Sequence, residues 1–375
     1  MNRISSLQLV GSFPAKRLGV RLPWSVLIAV VIACLSFFRA AVGDDRVAAI
    51  LDDTGVKGGL VVHVGCGDGK LTAALRANDS YLVHGLDADA ENVAAAREHI
   101  QSLGLYGNVS VDRLRGGRLP YADNLVNLVV MQDAGRGIRD EEILRVLVPG
   151  GVLLKISPDT RNPTPGTSIR KPWPAGLDQW THWDHGPDRN PVSQDVFVGP
   201  PRRTQWMDGP AWSKKHWGPR ISAMVTAGGR LFYVQDETPT SLFNIAAKWV
   251  LVARDAFNGV VLWRRDLPDW TGGGWGRVVR RETSPSVSPE LVLGVWGELS
   301  GGKGIRDATR VMVAVDDRLY VPLSADAPVS ALDVATGEVI RTYEGVAPVQ
   351  EVAVADGVLL IGGRGKIRAV EPETG

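Results

Sequence analysis

A doubly wound α/β parallel sheet followed by an all-β array of repeated short strands is the fold class that the sequence predicts. Three observations predict it. Residues Leu60 to Gly69 read Leu-Val-Val-His-Val-Gly-Cys-Gly-Asp-Gly, an apolar strand running into a Gly-x-Gly-x-Gly turn. Strand-like and helix-like segments then alternate as far as Ile156, the pattern of a parallel sheet. From Ser222 to the last residue, one turn-then-strand unit recurs three times. With 375 residues the chain is long enough for two domains with separate cores.

The continuous apolar run of the first strand is that of a strand buried on both faces. Glycines just past its end let the backbone turn tightly and approach a ligand without a Cβ in the way. A helix opens near Lys70, so its N-terminal N–H groups are expected to face the same crevice. Taken alone the glycines also suit a plain strand-to-helix corner. The second strand, Tyr81 to Asp87, ends in an acid eighteen residues after Gly69, placed to accept the hydroxyls of a ribose. A helix over Glu91 to Leu103 follows, then strands at Val109–Val111 and Leu125–Met131. A helix over Asp140 to Leu147 and a fifth strand, Val152 to Ile156, complete the series.

Four pieces in this order resemble the class I S-adenosylmethionine-dependent methyltransferases of small-molecule type, a Rossmann-like fold. They are Val64-Gly65-Cys66-Gly67-Asp68-Gly69, Gly85-Leu86-Asp87, Leu119-Pro120-Tyr121-Ala122-Asp123, and Arg145-Val146-Leu147-Val148-Pro149-Gly150-Gly151. The resemblance covers roughly residues 45 to 157. It implies S-adenosylmethionine as cofactor, with Gly65, Gly67 and Gly69 cradling its methionine end and Asp87 holding its ribose. It supplies no catalytic residue. The sequence departs from the family at His63, Arg115 and Asn127, where acids are usual. The family's last antiparallel strands are expected to be missing, because the pattern stops near Ser157.

The net charge of +1 argues against a nucleic-acid partner. Only Cys34 and Cys66 are present, so no disulfide framework is implied. Cys66 reads either as a reactive thiol at a helix N-terminus or as one of the small residues such a turn holds. Arg3, Lys16, Arg17 and Arg21 precede an apolar run from Trp24 to Phe38, and Ala41-Val42-Gly43 offers small residues at cleavage positions. Residues 1–43 read as a secretory signal or as an uncleaved membrane anchor through residues 24–38. Either way the rest of the chain is expected to be exported, to the periplasm or another extracytoplasmic space. That conflicts with a cofactor made and used inside cells.

Domain limits follow: 44–157 for the α/β domain, 158–221 for a connector, and 222–375 for the repeats. The connector is dense in Pro and Gly and crowds Trp173, Trp180, Trp183, Trp206, Trp212 and Trp217 together. Rings in that number either plug a neighbouring domain or form a platform for a carbohydrate or aromatic ligand. His182, His185 and His216 read as hydrogen-bonded structural histidines more readily than as metal ligands, and no metal is predicted.

The repeats begin Gly228-Gly229-Arg230-Leu231-Phe232-Tyr233-Val234, Asp316-Asp317-Arg318-Leu319-Tyr320-Val321 and Asp356-Gly357-Val358-Leu359-Leu360-Ile361. Each is followed by a second signature closing on Gly259, Gly337 or Gly375. The last two glycines are 38 residues apart and the first two 78, with room for a degenerate unit near Leu291 to Trp296. A period of about 40 is that of a propeller blade, so an incomplete propeller of three to four blades is expected. The blades resemble the pyrroloquinoline-quinone-like repeats of quinoprotein dehydrogenases and outer-membrane assembly lipoproteins. Trp263 would pack between neighbouring blades. The repeat is structural, and no quinone-binding set is carried over.

Three functions are open on this reading. One is a methyltransferase whose propeller binds an unidentified small-molecule or protein substrate or a protein partner. Another is an exported, non-catalytic scaffold with a degenerate methyltransferase domain. The third is a quinone-dependent dehydrogenase.

Overall fold

A computed structural model describes residues 45–132, 137–156, 167–197, 199, 204–208, 221–237, 248–268, 270, 310–324, 326–363 and 365–375. The leader with Cys34, the tryptophans at 212 and 217, His216 and the degenerate repeat near Leu291 lie outside the described residues. Among the described residues no helix is long and apolar enough to cross a membrane.

The α/β half is one six-stranded sheet in the order β3-β2-β1-β4-β5-β6. Its strands are β1 (Gly59–Val64), β2 (Tyr81–Asp87), β3 (Val109–Arg113), β4 (Val126–Gln132), β5 (Leu147–Ile156) and β6 (Ser168–Arg170). The first five are parallel, with Val62 beside both His84 and Val129. Every residue of β1 is buried because both faces of the sheet are covered. On one face Val61 packs with residues of α1 (Asp45–Thr54), α2 (Lys70–Ala74) and α3 (Ala90–Ser102). On the other, Leu60, Val62 and Val64 pack with Ile143 and Val146 of α4 (Asp140–Val146) and with Leu114 and Leu119.

Helix α3 shows why these segments fold as they do. Asp89 caps its start, its Oδ1 accepting the Glu91 N–H at 2.8 Å. Val93, Ala96 and Ile100 fall on one face and are buried.

Two elements differ from the sequence reading. Helix α1 was not anticipated; it buries Val47, Ile50, Leu51 and Thr54, the spacing of one helical face. The sheet also continues past residue 157. Strand β6 pairs antiparallel with β5, Leu153 beside Ile169, so one of the antiparallel strands expected to be missing is present. It is only three residues long, and its burial pattern is that of an exposed edge strand, which hides it from a search for apolar runs.

The repeats form three antiparallel sheets. The first contains β7 (Ile221–Ala227), β8 (Arg230–Asp236), β9 (Trp249–Asp255) and β10 (Val261–Asp266). The second contains β11 (Val313–Val315), β12 (Arg318–Pro322), β13 (Val329–Asp333) and β14 (Val339–Tyr343), and the third β15 (Glu351–Ala355), β16 (Val358–Gly363) and β17 (Lys366–Val370). Each repeat's first turn joins its first and second strands. The Asp-to-Gly turns ending at Gly259 and Gly337 join the third strand to the fourth. One hydrophobic core runs through all three sheets, from Ala223 to Val370. A closed ring is not present among the described residues.

Trp263 lies against the next sheet's turn: its Nε1 donates to the Val334 carbonyl at 3.0 Å, and a Cβ on Gly337 would come within 2.7 Å of its ring. The connector supplies the same contact to the first sheet. Trp206 Nε1 donates to Ala256 O at 3.0 Å, and its ring lies against Gly259. At the third turn Arg341 takes the ring's place, bonding Thr374 O at 3.1 Å beside Gly375.

The connector also crosses the first strand of every sheet. The Thr226 N–H donates to Trp180 O at 2.7 Å, Ala314 N–H to Thr181 O at 2.9 Å, and Val354 N–H to His182 Nε2 at 3.0 Å. Backbone and one imidazole, rather than indole rings, hold the repeats here, for Trp180 and Trp183 stay half exposed.

Candidate functional site

The sheet order reverses between β1 and β4, so a crevice opens at the carboxyl ends of the central strands. The turn Gly65–Gly69 stands there. Its first N–H groups donate to Leu86 O, Gly65 at 2.8 Å and Cys66 at 3.2 Å, which ties the turn to the end of β2. Gly65, Gly67 and Gly69 all have left-handed φ, at 78°, 52° and 78°. They do different work. A Cβ at Gly65 would lie 2.8 Å from the Gln132 carbonyl, and one at Gly69 would lie 2.7 Å from Ala96 Cβ. These two allow the turn to pack on β4 and α3. A Cβ at Gly67 would meet nothing within 4 Å, so this residue alone fronts open space.

Asp87 is the other half of the site. It is 1% exposed, and its Oδ2 accepts the Gly67 N–H at 3.0 Å while Oδ1 accepts that of Asp89 at 2.9 Å. The structure therefore brings all four residues singled out in the sequence to one place. The helix N-terminus expected beside them is less available. Helix α2 has five residues, and its first N–H is taken by Asp68 Oδ1 at 3.1 Å.

His63 is fully buried on β1, two residues before the turn. Its Nδ1 shares a 2.8 Å hydrogen bond with Thr72 Oγ1, and its Nε2 has no partner. Burial lowers its pKa to about 4 against the opposing pull of the Asp87 carboxylate, so the ring is neutral at pH 7. The open space at Gly67 fits a polar group in the crevice.

Other residues named from the sequence lie elsewhere. Cys66 is buried at 3% exposure beside Gly85, which agrees with a small packing residue. Arg115 is exposed. His185 Nε2 pairs with Asp178 at 2.9 Å and His182 bonds Thr181 and Val354, so both are structural histidines. Asn127 stands at the start of β4, at the opposite end of the sheet from the glycines.

Arg145 was passed over in the sequence except as part of a motif. Its guanidinium bonds both oxygens of Glu142, the Asp123 carboxylate at 2.6 Å, and the carbonyls of Tyr121 and Leu119. Two of the four resembling pieces are thus pinned together by one side chain. An Arg four residues before a Pro-Gly-Gly, with an acid three residues earlier, was the available signal.

With this geometry in place, the comparisons with known proteins can be set beside it. Residues 61–151 match the methyltransferase domain family. Over these residues the chain is similar to a methyltransferase domain. Methyltransferase GfsG from Streptomyces halstedii is 35% identical over 100 residues, which is 25% of this chain and 35% of that protein. The match thus spans about a third of that relative's length. Among solved structures, a SAM-dependent methyltransferase from Aquifex aeolicus is 26% identical, covering 34% of this chain and 72% of its own, with a TM-score of 0.28. Geranyl diphosphate C-methyltransferase from Streptomyces coelicolor is 18% identical over 30% of this chain and 45% of its own, also with a TM-score of 0.28. The family match agrees with S-adenosylmethionine as the cofactor that the sequence implied.

Proposed function

We propose that the methyltransferase domain binds S-adenosylmethionine in the crevice between Gly67 and Asp87 and serves methyl transfer to an acceptor not yet identified. The observation that carries this reading is the 3.0 Å bond from Gly67 N–H to Asp87 Oδ2 beside the open space over Gly67. When bound, the cofactor supplies a methyl group on a cationic sulfur. The chain's own part is to hold and orient: Gly67 leaves room and Asp87 fixes the turn.

The repeats act as a propeller-like module for a partner. They dock at the amino ends of the strands, away from the crevice, and this favours a partner-binding role over shaping the acceptor pocket. Calorimetric titration of the full chain with S-adenosylmethionine and S-adenosylhomocysteine tests the reading; saturable heat that is lost in Gly67→Val supports it. His63, standing where the family has an acid, and the exported leader favour a second reading, a scaffold that binds neither. A flat titration would select it.

A further inference from the structure

A cavity of about 250 Å³ lies between the α/β sheet and the first repeat sheet, at the end of the strands opposite the glycine turn. Its wall carries three cationic side chains, Lys57, Arg170 and Arg230, and one carboxylate, Asp255. That carboxylate is already engaged. Its Oδ1 accepts N–H groups of Phe257 and Asn258 at 2.8 and 2.9 Å, and its Oδ2 accepts the Asn127 amide at 2.6 Å.

The cations are less fully engaged. Arg230 bonds the Gly228 carbonyl at 3.4 Å and stands across the strand pair from Asp255, with the Asp255 and Asp333 carboxylates opposing the effect of its burial. Arg170 bonds two neutral carbonyls, Gly150 O and Thr54 O, both at 2.7 Å. Lys57 faces Asp52 at 3.9 Å across solvent, with half its side chain exposed. Three cations in the lining against one carboxylate whose oxygens already accept three hydrogen bonds leave this wall with excess positive charge, which attracts an anion. Trp173 and Phe257, edge to face at 6.3 Å, provide an apolar wall beside the charges. The volume is just below the usual range for organic ligands, so the occupant is small.

We propose that this cavity binds a compact organic anion, a carboxylate or phosphate monoester carrying an apolar or aromatic body. Its charge would be held by Arg230, Arg170 and Lys57 and its body placed against Trp173 and Phe257. The site is separate from the crevice and does not depend on the cofactor reading.

Calorimetric titration of the full chain at low ionic strength tests it, with phenyl phosphate and benzoate as probes and benzylamine as the cationic control. Saturable binding of either anion, but not of benzylamine, is expected. Which of the two binds identifies the anionic group. Arg230→Gln should weaken binding about tenfold, and Lys57→Gln by a smaller factor, since a charge-assisted hydrogen bond has that magnitude. Lys57 is exposed enough that its variant keeps the test valid if Arg230→Gln does not fold. Asp87→Ala should leave anion binding unchanged. Absence of binding by both anions, equal binding of benzylamine, or an unchanged Kd in the folded variants would overturn the proposal.

Discussion

Asn127 on β4 donates its side-chain amide to the Asp255 carboxylate at 2.6 Å, joining residues 128 positions apart. The same amide's oxygen accepts the Leu60 N–H at 2.8 Å and the Asn258 amide at 2.7 Å. Where the methyltransferase resemblance leads one to expect an acid, this chain has the residue that fastens the first repeat to the sheet. The substitution is explained by docking, because a second carboxylate there would face buried Asp255.

Asn127→Ala should therefore destabilise the chain by roughly 1–3 kcal/mol, the cost of leaving buried polar partners unpaired. Asn127→Asp should cost more at neutral pH despite its matching shape, and should recover part of the loss on acidification. Burial already raises the Asp255 pKa against the opposing bonds from Asn127, Asn258 and Phe257, so one of the paired acids takes up a proton readily. Urea titrations of both variants at two pH values check the order.

The three glycines should separate into two classes. Gly67→Val should abolish S-adenosylmethionine binding, and should lower the unfolding midpoint only through the strain of a branched residue at a φ of 52°, since its side chain enters open space. Gly65→Ala and Gly69→Ala should lower the midpoint, because each Cβ would press on Gln132 or Ala96. Asp87→Ala should weaken cofactor binding by roughly 1–3 kcal/mol. Calorimetry beside thermal unfolding distinguishes the classes.

Stability should fall on mild acidification. His63 and His182 both have pKa values lowered to about 4, principally by burial, from an ordinary 6.5. Above pH 6.5 both states are neutral and the full stability is present. Between 6.5 and 4 the unfolded chain takes up protons that the folded chain refuses, so stability is lost across that window and levels off below it. Each group contributes about 3 kcal/mol over the window, from its displacement in pKa. His63→Gln should remove one share of the slope in denaturant titrations run from pH 7 to 4; an unchanged slope would mean that His63 is accessible to protons.

Trp263→Ala should destabilise the repeats by about 3–5 kcal/mol, the usual loss for a large aromatic removed from a packed site. Trp263→Phe should recover the packing but not the 3.0 Å bond to Val334 O. Circular dichroism melts of the full chain test both.

The leader sets the last expectation. Alkaline phosphatase fused after Gly375 should be active, and a cytoplasmic reporter at the same place silent, if basic residues before Trp24 direct export. The reverse result would put the crevice in the compartment where the methyl donor is made.

Several features were legible in the sequence because they are written locally. A continuous apolar run, glycines at its end and an acid closing the next run placed β1, the turn and β2 within a residue or so of their observed limits. Gly65, Gly67, Gly69 and Asp87 meet as the spacing implied, since a parallel sheet sets neighbouring strand ends side by side. The repeat's turns were readable for the same reason: the residues of each lie within a few positions of one another. What the sequence could not show depends on side chains that meet across the fold. The division of labour among the glycines is decided by Gln132 and Ala96, and the role of Asn127 by Asp255. Arg145 gains its meaning from the carbonyls of Leu119 and Tyr121, and Trp206 from Gly259. Tertiary packing alone brings such pairs within hydrogen-bonding or van der Waals distance, and the periodicity of a strand or helix carries no trace of the partner it will find.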